Sequence, residues 1–284
     1  MAADDVFELP SGKHAGGENF PVASRLVRAE LRPHLMVFYR FARAIDDVAD
    51  APGVAAADKR RRLAAFDAVL AGAAADDGPE KAVALRGSLE ATGVDPVHAR
   101  DLIRAFVLDT EKTRYADWDE LMAYCRLSAA PVGRHILALH GEDPALFVAN
   151  DALCDALQVI NHLQDCADDY RALDRVYLPE PWLAAEGLGV DVLAAASSPP
   201  GLRRVLDRLL DGTEGLLARS RSFACEVKDT RLSLEIAAIQ ALAEGLCAKL
   251  RREDPLTRRV TFSKPRMALV GLAGAAAVWR ARRR

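Results

Sequence analysis

Asp151-Ala-Leu-Cys-Asp-Ala-Leu-Gln-Val-Ile-Asn-His-Leu-Gln-Asp-Cys-Ala-Asp-Asp-Tyr170 decides how this chain folds. Leu153, Leu157, Ile160, Leu163 and Ala167 recur at steps of three and four, the spacing of one face of an α-helix. Gln158, Asn161, Asp165 and Asp168 or Asp169 recur at the same steps on another side. Buried amides among so many apolar residues require hydrogen-bond partners. A pocket holding ions, water and a polar ligand would supply them. Arg171 and Arg175 follow at once, ahead of Val176-Tyr-Leu-Pro179.

A second stretch repeats the pattern. Pro33 suits the first turn of a helix running to about Asp50. Leu35, Phe38, Ala42, Ile45 and Ala49 make its core face. Tyr39, Arg43, Asp46 or Asp47, and Asp50 make a polar one. The plain reading of that face is a solvated stripe on which Arg43 pairs with Asp46 or Asp47. However, in both stretches two carboxylates stand four residues apart, at ~6 Å along a helix axis, where like charges repel. Asp50 also falls at a helix C-terminus, which disfavours negative charge by ~0.3–1 kcal/mol. Two such clusters on apolar helices make sense if cations sit between them.

The rest of the chain agrees with a helical protein. Hydrophobic residues are 51%, charged residues 28% and aromatics 6%, a composition ordinary for a globular protein. No alternating β-branched run or Asn-Gly hairpin signal occurs, so the expectation is all-α. Breaks are expected at Ala51-Pro-Gly53, Asp76-Asp-Gly-Pro79, Gly93-Val-Asp-Pro96, Gly141-Glu-Asp-Pro144, Pro179-Glu-Pro181, Ser197-Ser-Pro-Pro200 and Asp254-Pro255. They leave helical segments of roughly 12–28 residues. None of the breaks is a long linker, so residues 1–262 read as one helical domain. Residues 263–284 read as an apolar and basic tail.

That tail runs from the weakly apolar Met267–Trp279 into Arg280, Arg282, Arg283 and Arg284. It falls short of the ~20 apolar residues that span a bilayer. Two readings stand: a last helix packed on the body, or a cationic tail resting on an anionic membrane surface. A net charge of −3 offers no global basic field for nucleic acid. Met1-Ala-Ala-Asp-Asp does not resemble a secretory signal. The five scattered cysteines, with no Cys-x-x-Cys pair, suit reduced thiols and a cytoplasmic protein, at most peripheral to the inner membrane face.

Magnesium prefers oxygen ligands, keeps several waters, and is typically held by one or two carboxylates plus phosphate oxygens. Two facing carboxylate pairs would therefore grip Mg²⁺ ions around a diphosphate, with arginines on its remaining oxygens. The metals would act as Lewis acids on departing pyrophosphate. An apolar cavity would hold a hydrocarbon and shield the resulting carbocation.

At this point the residues resemble the squalene and phytoene synthases. The matching pieces span most of the chain: Asn19-Phe-Pro-Val-Ala-Ser24, Phe38–Asp50, Asp109-Thr-Glu-Lys-Thr-Arg-Tyr115, Tyr124-Cys-Arg-Leu-Ser-Ala-Ala-Pro-Val-Gly133, and Gln158–Tyr170 with Arg175-Val-Tyr-Leu-Pro179. The two acidic motifs are specific jointly; either alone would be weak. The resemblance implies an isoprenoid synthase fold, a single helical bundle around a central cavity, and dependence on Mg²⁺. It implies metal ligation by Asp46, Asp50, Asp165 and Asp169, with Asp47, Asp168 and Asn161 in support. Arg43, Gln158, Asn161 and Arg175 would contact the diphosphate or its ions, beside Tyr39, Arg171 and Tyr177. Lys112, Arg114 and Tyr115 either line the site or mark a helix end with a basic cap. His34, His135, His140 and His162 read as structural or surface residues, and Cys166 as a packing residue.

One departure bears on the reaction. The family usually reads Tyr-Cys-Tyr where this chain has Tyr124-Cys125-Arg126, and its second Tyr is implicated in condensation. A guanidinium is a fixed cation and a poor proton acceptor. Tyr124 and Arg126 are thus expected catalytic residues, with Arg126 suited to holding an anion. The pattern looks closest to the hydroxysqualene-forming branch of bacterial hopanoid pathways. That branch converts presqualene diphosphate and water to hydroxysqualene and diphosphate, with no NADPH. Its expected class is a carbon–oxygen lyase, acting between enzymes that make presqualene diphosphate and that reduce hydroxysqualene. The alternatives are a condensing prenyltransferase and a non-catalytic helical scaffold.

Overall fold

The computed structural model describes residues 27–74 and 78–283. Asn19-Phe-Pro-Val-Ala-Ser24 lies outside the described residues. Among them every regular element is helical, as the sequence leads one to expect. They form two compact units, drawn from Met1–Lys112 with Pro131–Pro144 and from Thr113–Ala130 with Ala145–Arg284.

The first unit contains α1 (Arg32–Asp50), α2 (Ala56–Leu70), α3 (Glu80–Thr92) and α4 (Val97–Asp109), together with most of α6 (Ala130–Leu139). Pro33 sits in the first turn of α1 and the helix ends at Asp50, both as expected. Phe38, Phe41, Ile45 and Val48 of α1 meet Leu63, Phe66, Leu85 and Leu102 in the core. The buried face of α1 is wider than the five positions read from the sequence. Phe41, Ala44 and Val48 are also buried, because α3 and α4 both pack on this helix. Ala42 is half-buried at the core's edge. Each fully buried Phe or Leu contributes about 1.5–3 kcal/mol of transfer free energy. The expected breaks at Gly93 and Gly141 are real turns in which glycine adopts φ of 71° and 69°, the left-handed region open to residues without a Cβ.

The second unit contains α5 (Trp118–Ser128), α7 (Phe147–Leu173), α8 (Glu180–Ala185), α9 (Pro200–Arg219), α10 (Phe223–Glu226), α11 (Thr230–Leu250) and α12 (Lys264–Ala281). α7 runs beyond the Asp151–Tyr170 stretch at both ends. A 3-10 turn at Pro144–Leu146 leads into it. It packs on α5, α9 and α11. Two helices are far shorter than expected, α8 with 6 residues and α10 with 4. α8 starts within Pro179-Glu-Pro181, where proline serves as a helix start rather than a break. Side chains build several starts. Asp117 Oδ1 accepts from Glu120 N at 2.8 Å while Glu120 Oε2 accepts from Ala116 N at 2.6 Å, a capping box opening α5. Asp229 accepts from Arg231 N and Leu232 N at the start of α11. α12 is a fixed helix that packs along α11.

Candidate functional site

The first acidic motif occupies the last two turns of α1. Tyr39, Arg43, Asp46, Asp47 and Asp50 are all half-buried. Arg43 pairs with both aspartates that the sequence offered it, Nη1 to Asp46 Oδ2 at 2.7 Å and Nη2 to Asp47 Oδ1 at 3.1 Å. The helix end that disfavours Asp50 carries a cation of its own. Lys59 Nζ of α2 donates to the Ala49 carbonyl at 2.7 Å, where the macrodipole favours positive charge. Lys112 is half-buried just past α4, its backbone N donating to Leu108 O.

The second motif lies on α7. Gln158, Asn161, Asp165 and Asp169 are half-buried, whereas Asp168 is exposed and within 3.7 Å of exposed Arg171. Asp165 is gripped by Arg259, whose Nε donates to Oδ1 and whose Nη2 donates to Oδ2 at 2.9 Å. This two-pronged geometry is the strong form of a guanidinium–carboxylate pair. Nothing in the sequence pointed to Arg259. It is 94 residues from its partner and belongs to no periodic face. Beside it, Gln164 Nε2 donates to the Val260 carbonyl at 2.5 Å, so the Arg259–Val260 segment is tied to α7 at two consecutive residues.

Two other motifs meet through the backbone. Val176 N donates to Thr113 O at 2.9 Å and Glu180 N to Tyr115 O at 3.1 Å. The pairing brings Tyr115 and Tyr177 to 5.5 Å between ring centroids. Tyr124 of α5 lies edge-on to Tyr115 at 5.6 Å and 5.7 Å from Tyr177. His162 of α7 stacks on Tyr177 at 3.5 Å. All four rings are buried, and so is Arg175. Burial, then the Arg175 charge, lowers the His162 pKa to about 3, so its imidazole is neutral. Its Nε2 is buried without a hydrogen-bond partner among the described residues.

Arg114 and Arg126 lie apart from this cluster. Arg114 braces the end of α7: Nη2 contacts Asp174 Oδ1 at 2.6 Å, and Nη1 donates to the Asp174 carbonyl. This contact is a basic group at the C-terminal end of α7 rather than of the neighbouring α4. Arg126 is exposed in the last turn of α5. Cys166 is buried, and its thiol is pushed up to about 12, chiefly by burial. It stays a neutral packing group.

The donor chemistry suits Mg²⁺. Both helices present half-buried carboxylate oxygens, with an amide oxygen from Asn161. Among the described residues no three His, Cys, Asp or Glu side chains converge into a ready-made metal cage. Guanidinium groups instead sit on Asp46, Asp47 and Asp165. One or two carboxylates with phosphate oxygens suffice for Mg²⁺, so this arrangement fits an ion that arrives with a diphosphate.

The chain is similar to known proteins. A hydroxysqualene synthase from Rhodopseudomonas palustris is 46% identical over 253 residues, covering 89% of this chain and 86% of that protein. A hydroxysqualene synthase from Zymomonas mobilis is 44% identical, covering 94% and 91%. The crystal structure of a squalene synthase from Alicyclobacillus acidocaldarius superposes with a TM-score of 0.71 at 32% identity, covering 81% of this chain and 87% of that one. A ligand-bound dehydrosqualene synthase superposes with a TM-score of 0.79 at 18% identity, covering 93% of each chain. The fold is therefore the isoprenoid synthase fold of these enzymes. The sequence model of the squalene/phytoene synthases matches residues 13–266, and the chain belongs to that family.

Proposed function

We propose that this enzyme converts presqualene diphosphate and water to hydroxysqualene and diphosphate, as a carbon–oxygen lyase that needs Mg²⁺ and no NADPH. The observation that carries the reading is the 46% and 44% identity, over about nine-tenths of the chain, to proteins named hydroxysqualene synthases. Arg126 in place of the family's usual tyrosine supports it, because a guanidinium does not accept the proton that condensation releases.

In this reading Asp46, Asp50, Asp165 and Asp169 hold the metal, supported by Asp47, Asp168 and Asn161. Bound Mg²⁺ supplies Lewis-acid stabilisation of charge on the departing diphosphate. Arg43, Gln158, Arg171 and Arg175, with Tyr39, Lys112 and Arg126, bind and orient diphosphate oxygens. Arg259 orients Asp165 through its two-pronged contact. The C–O bond breaks with its electron pair leaving on the diphosphate oxygen. The cyclopropylcarbinyl cation left behind rearranges beside the π faces of Tyr115, Tyr124 and Tyr177, which attract positive charge. Water then adds its oxygen to the cation and loses a proton to solvent. Enzymes that make presqualene diphosphate and that reduce hydroxysqualene stand on either side of this step.

Mass analysis of products tests the reading. Presqualene diphosphate with Mg²⁺ and no NADPH should give hydroxysqualene. Turnover of farnesyl diphosphate alone, with presqualene diphosphate untouched, would replace it by a condensing synthase.

A further inference from the structure

The C-terminal helix α12 has two unlike sides. Gly271, Gly274, Ala275 and Val278 lie on the side toward α11. A Cβ on Gly274 would come within 2.6 Å of the Ala237 carbonyl and 2.7 Å of Ala241 Cβ, so the two backbones approach as closely as glycine allows. Arg282 pins the far end: Nη1 donates to Val227 O at 2.5 Å and to Ser233 Oγ at 3.1 Å, and Nη2 to Lys228 O at 3.2 Å. The other side therefore has a fixed orientation. It carries Leu269, Leu272, Ala276, Trp279 and Arg283 at steps of three and four.

That outer side is apolar where a solvated helix would be polar. Leu269, Leu272 and Trp279 are 59%, 70% and 40% exposed, three of the five large exposed hydrophobic side chains among the described residues. The charged side chains of the segment that carries α12 are of one sign. Residues 255–284 contain eight Lys and Arg and no Asp or Glu, although the whole chain is acidic with a net charge of −3. Lys264 and Arg266 stand at one end of α12, and Arg280 and Arg283 at the other. Arg283 lies 4.3 Å from the centre of the Trp279 ring. No described helix is long and apolar enough to cross a membrane.

We infer that α12 is a membrane-docking surface that lies flat on an anionic lipid bilayer. An apolar strip with cations at both ends and no carboxylates matches a bilayer interface, in which acyl chains underlie phosphate headgroups. Cations at both ends favour a helix parallel to the surface, since both ends then reach headgroups. A second copy of the chain would bring these like charges together, and a soluble partner offers no reason for a C-terminal segment without a single carboxylate side chain. The inference rests on α12 and its surroundings alone and stands apart from the reaction assigned above.

Vesicle flotation with the full chain tests it. Vesicles of phosphatidylcholine with about a third phosphatidylglycerol should bind the protein, and phosphatidylcholine vesicles should bind it at least tenfold more weakly. Salt at ~0.5 M should release it, because screening shortens the reach of the basic groups. Vesicles should shift tryptophan emission to the blue, and Trp279→Phe should abolish the shift although Trp118 and Trp182 remain. Leu269→Glu with Leu272→Glu should cut binding at least tenfold while the circular dichroism melt is unchanged, both residues being exposed. Absence of vesicle binding by the wild type, binding unchanged in the double variant, or a dimer abolished by it without any lipid binding would each overturn the inference.

Discussion

At the scale of single residues, burial decides what the histidines do. His162 stacks on Tyr177 in the second unit, and His135 stacks on Phe38 at 3.8 Å in the first. Both are held neutral, with pKa values lowered from 6.5 to about 3, first by burial. In the unfolded chain each takes a proton below about 6.5, so the unfolded state binds more protons between 6.5 and 3. Their contribution to stability is complete above 6.5 and is lost progressively as pH falls toward 3. The slope approaches ~1.4 kcal/mol per pH unit for each histidine. His162→Phe keeps the stack and removes the titration. Thermal melts from pH 7.5 to 5 should show a shallower fall in Tm for this variant than for the wild type, and parallel curves would refute the assignment.

At the scale of elements, the glycines of the second unit divide into contacts and vacancies. Gly274 lies against the α11 backbone, whereas a Cβ on Gly215 of α9 would meet nothing within 4 Å. Gly274→Ala should therefore lower stability by about 1–3 kcal/mol through overpacking of the α11–α12 contact. Gly215→Ala should raise it by about 0.5–1 kcal/mol, because alanine suits a helix interior better. Denaturant titrations of the pair check both signs. Arg114 offers a third case. Its brace on Asp174 closes the C-terminal end of α7, where the backbone turns to φ 51°. Arg114→Met should cost about 0.5–1 kcal/mol and increase hydrogen exchange in the last turn of α7 rather than elsewhere.

At the scale of the whole molecule, the two acidic motifs are held by different partners, Arg43 for Asp46 and Asp47 and Arg259 for Asp165. The ion pairs of Arg43 and Arg259 are partly exposed, and such pairs contribute about 0–1 kcal/mol each. Asp46→Asn and Asp165→Asn should hence leave Tm within a few degrees of the wild type. If these carboxylates hold metal as proposed, their loss should nonetheless cut kcat/KM roughly a hundredfold or more. Either variant alone should suffice, and added Mg²⁺ should recover part of the rate. Full activity in both variants would remove the aspartates from the chemistry.

The helical class, the span of α1 to Asp50, most of the turns and the family were legible along the chain. Those features depend on local periodicity, on Gly and Pro, and on two motifs whose residues are close along the chain. Arg43 with its aspartates was legible for the same reason, since three- and four-residue spacing meets on any helix. Only the tertiary structure decided that Arg259 is the partner of Asp165 and that Lys59 answers the end of α1. It alone brought Tyr115, Tyr124, Tyr177 and His162 into one buried cluster. It also decided that the last helix is both packed and exposed, with glycines against α11 and leucines outward. These contacts join residues beyond the reach of one helix turn, up to 94 positions apart for Arg259 and Asp165, and no periodicity along a chain encodes which distant face a helix will meet.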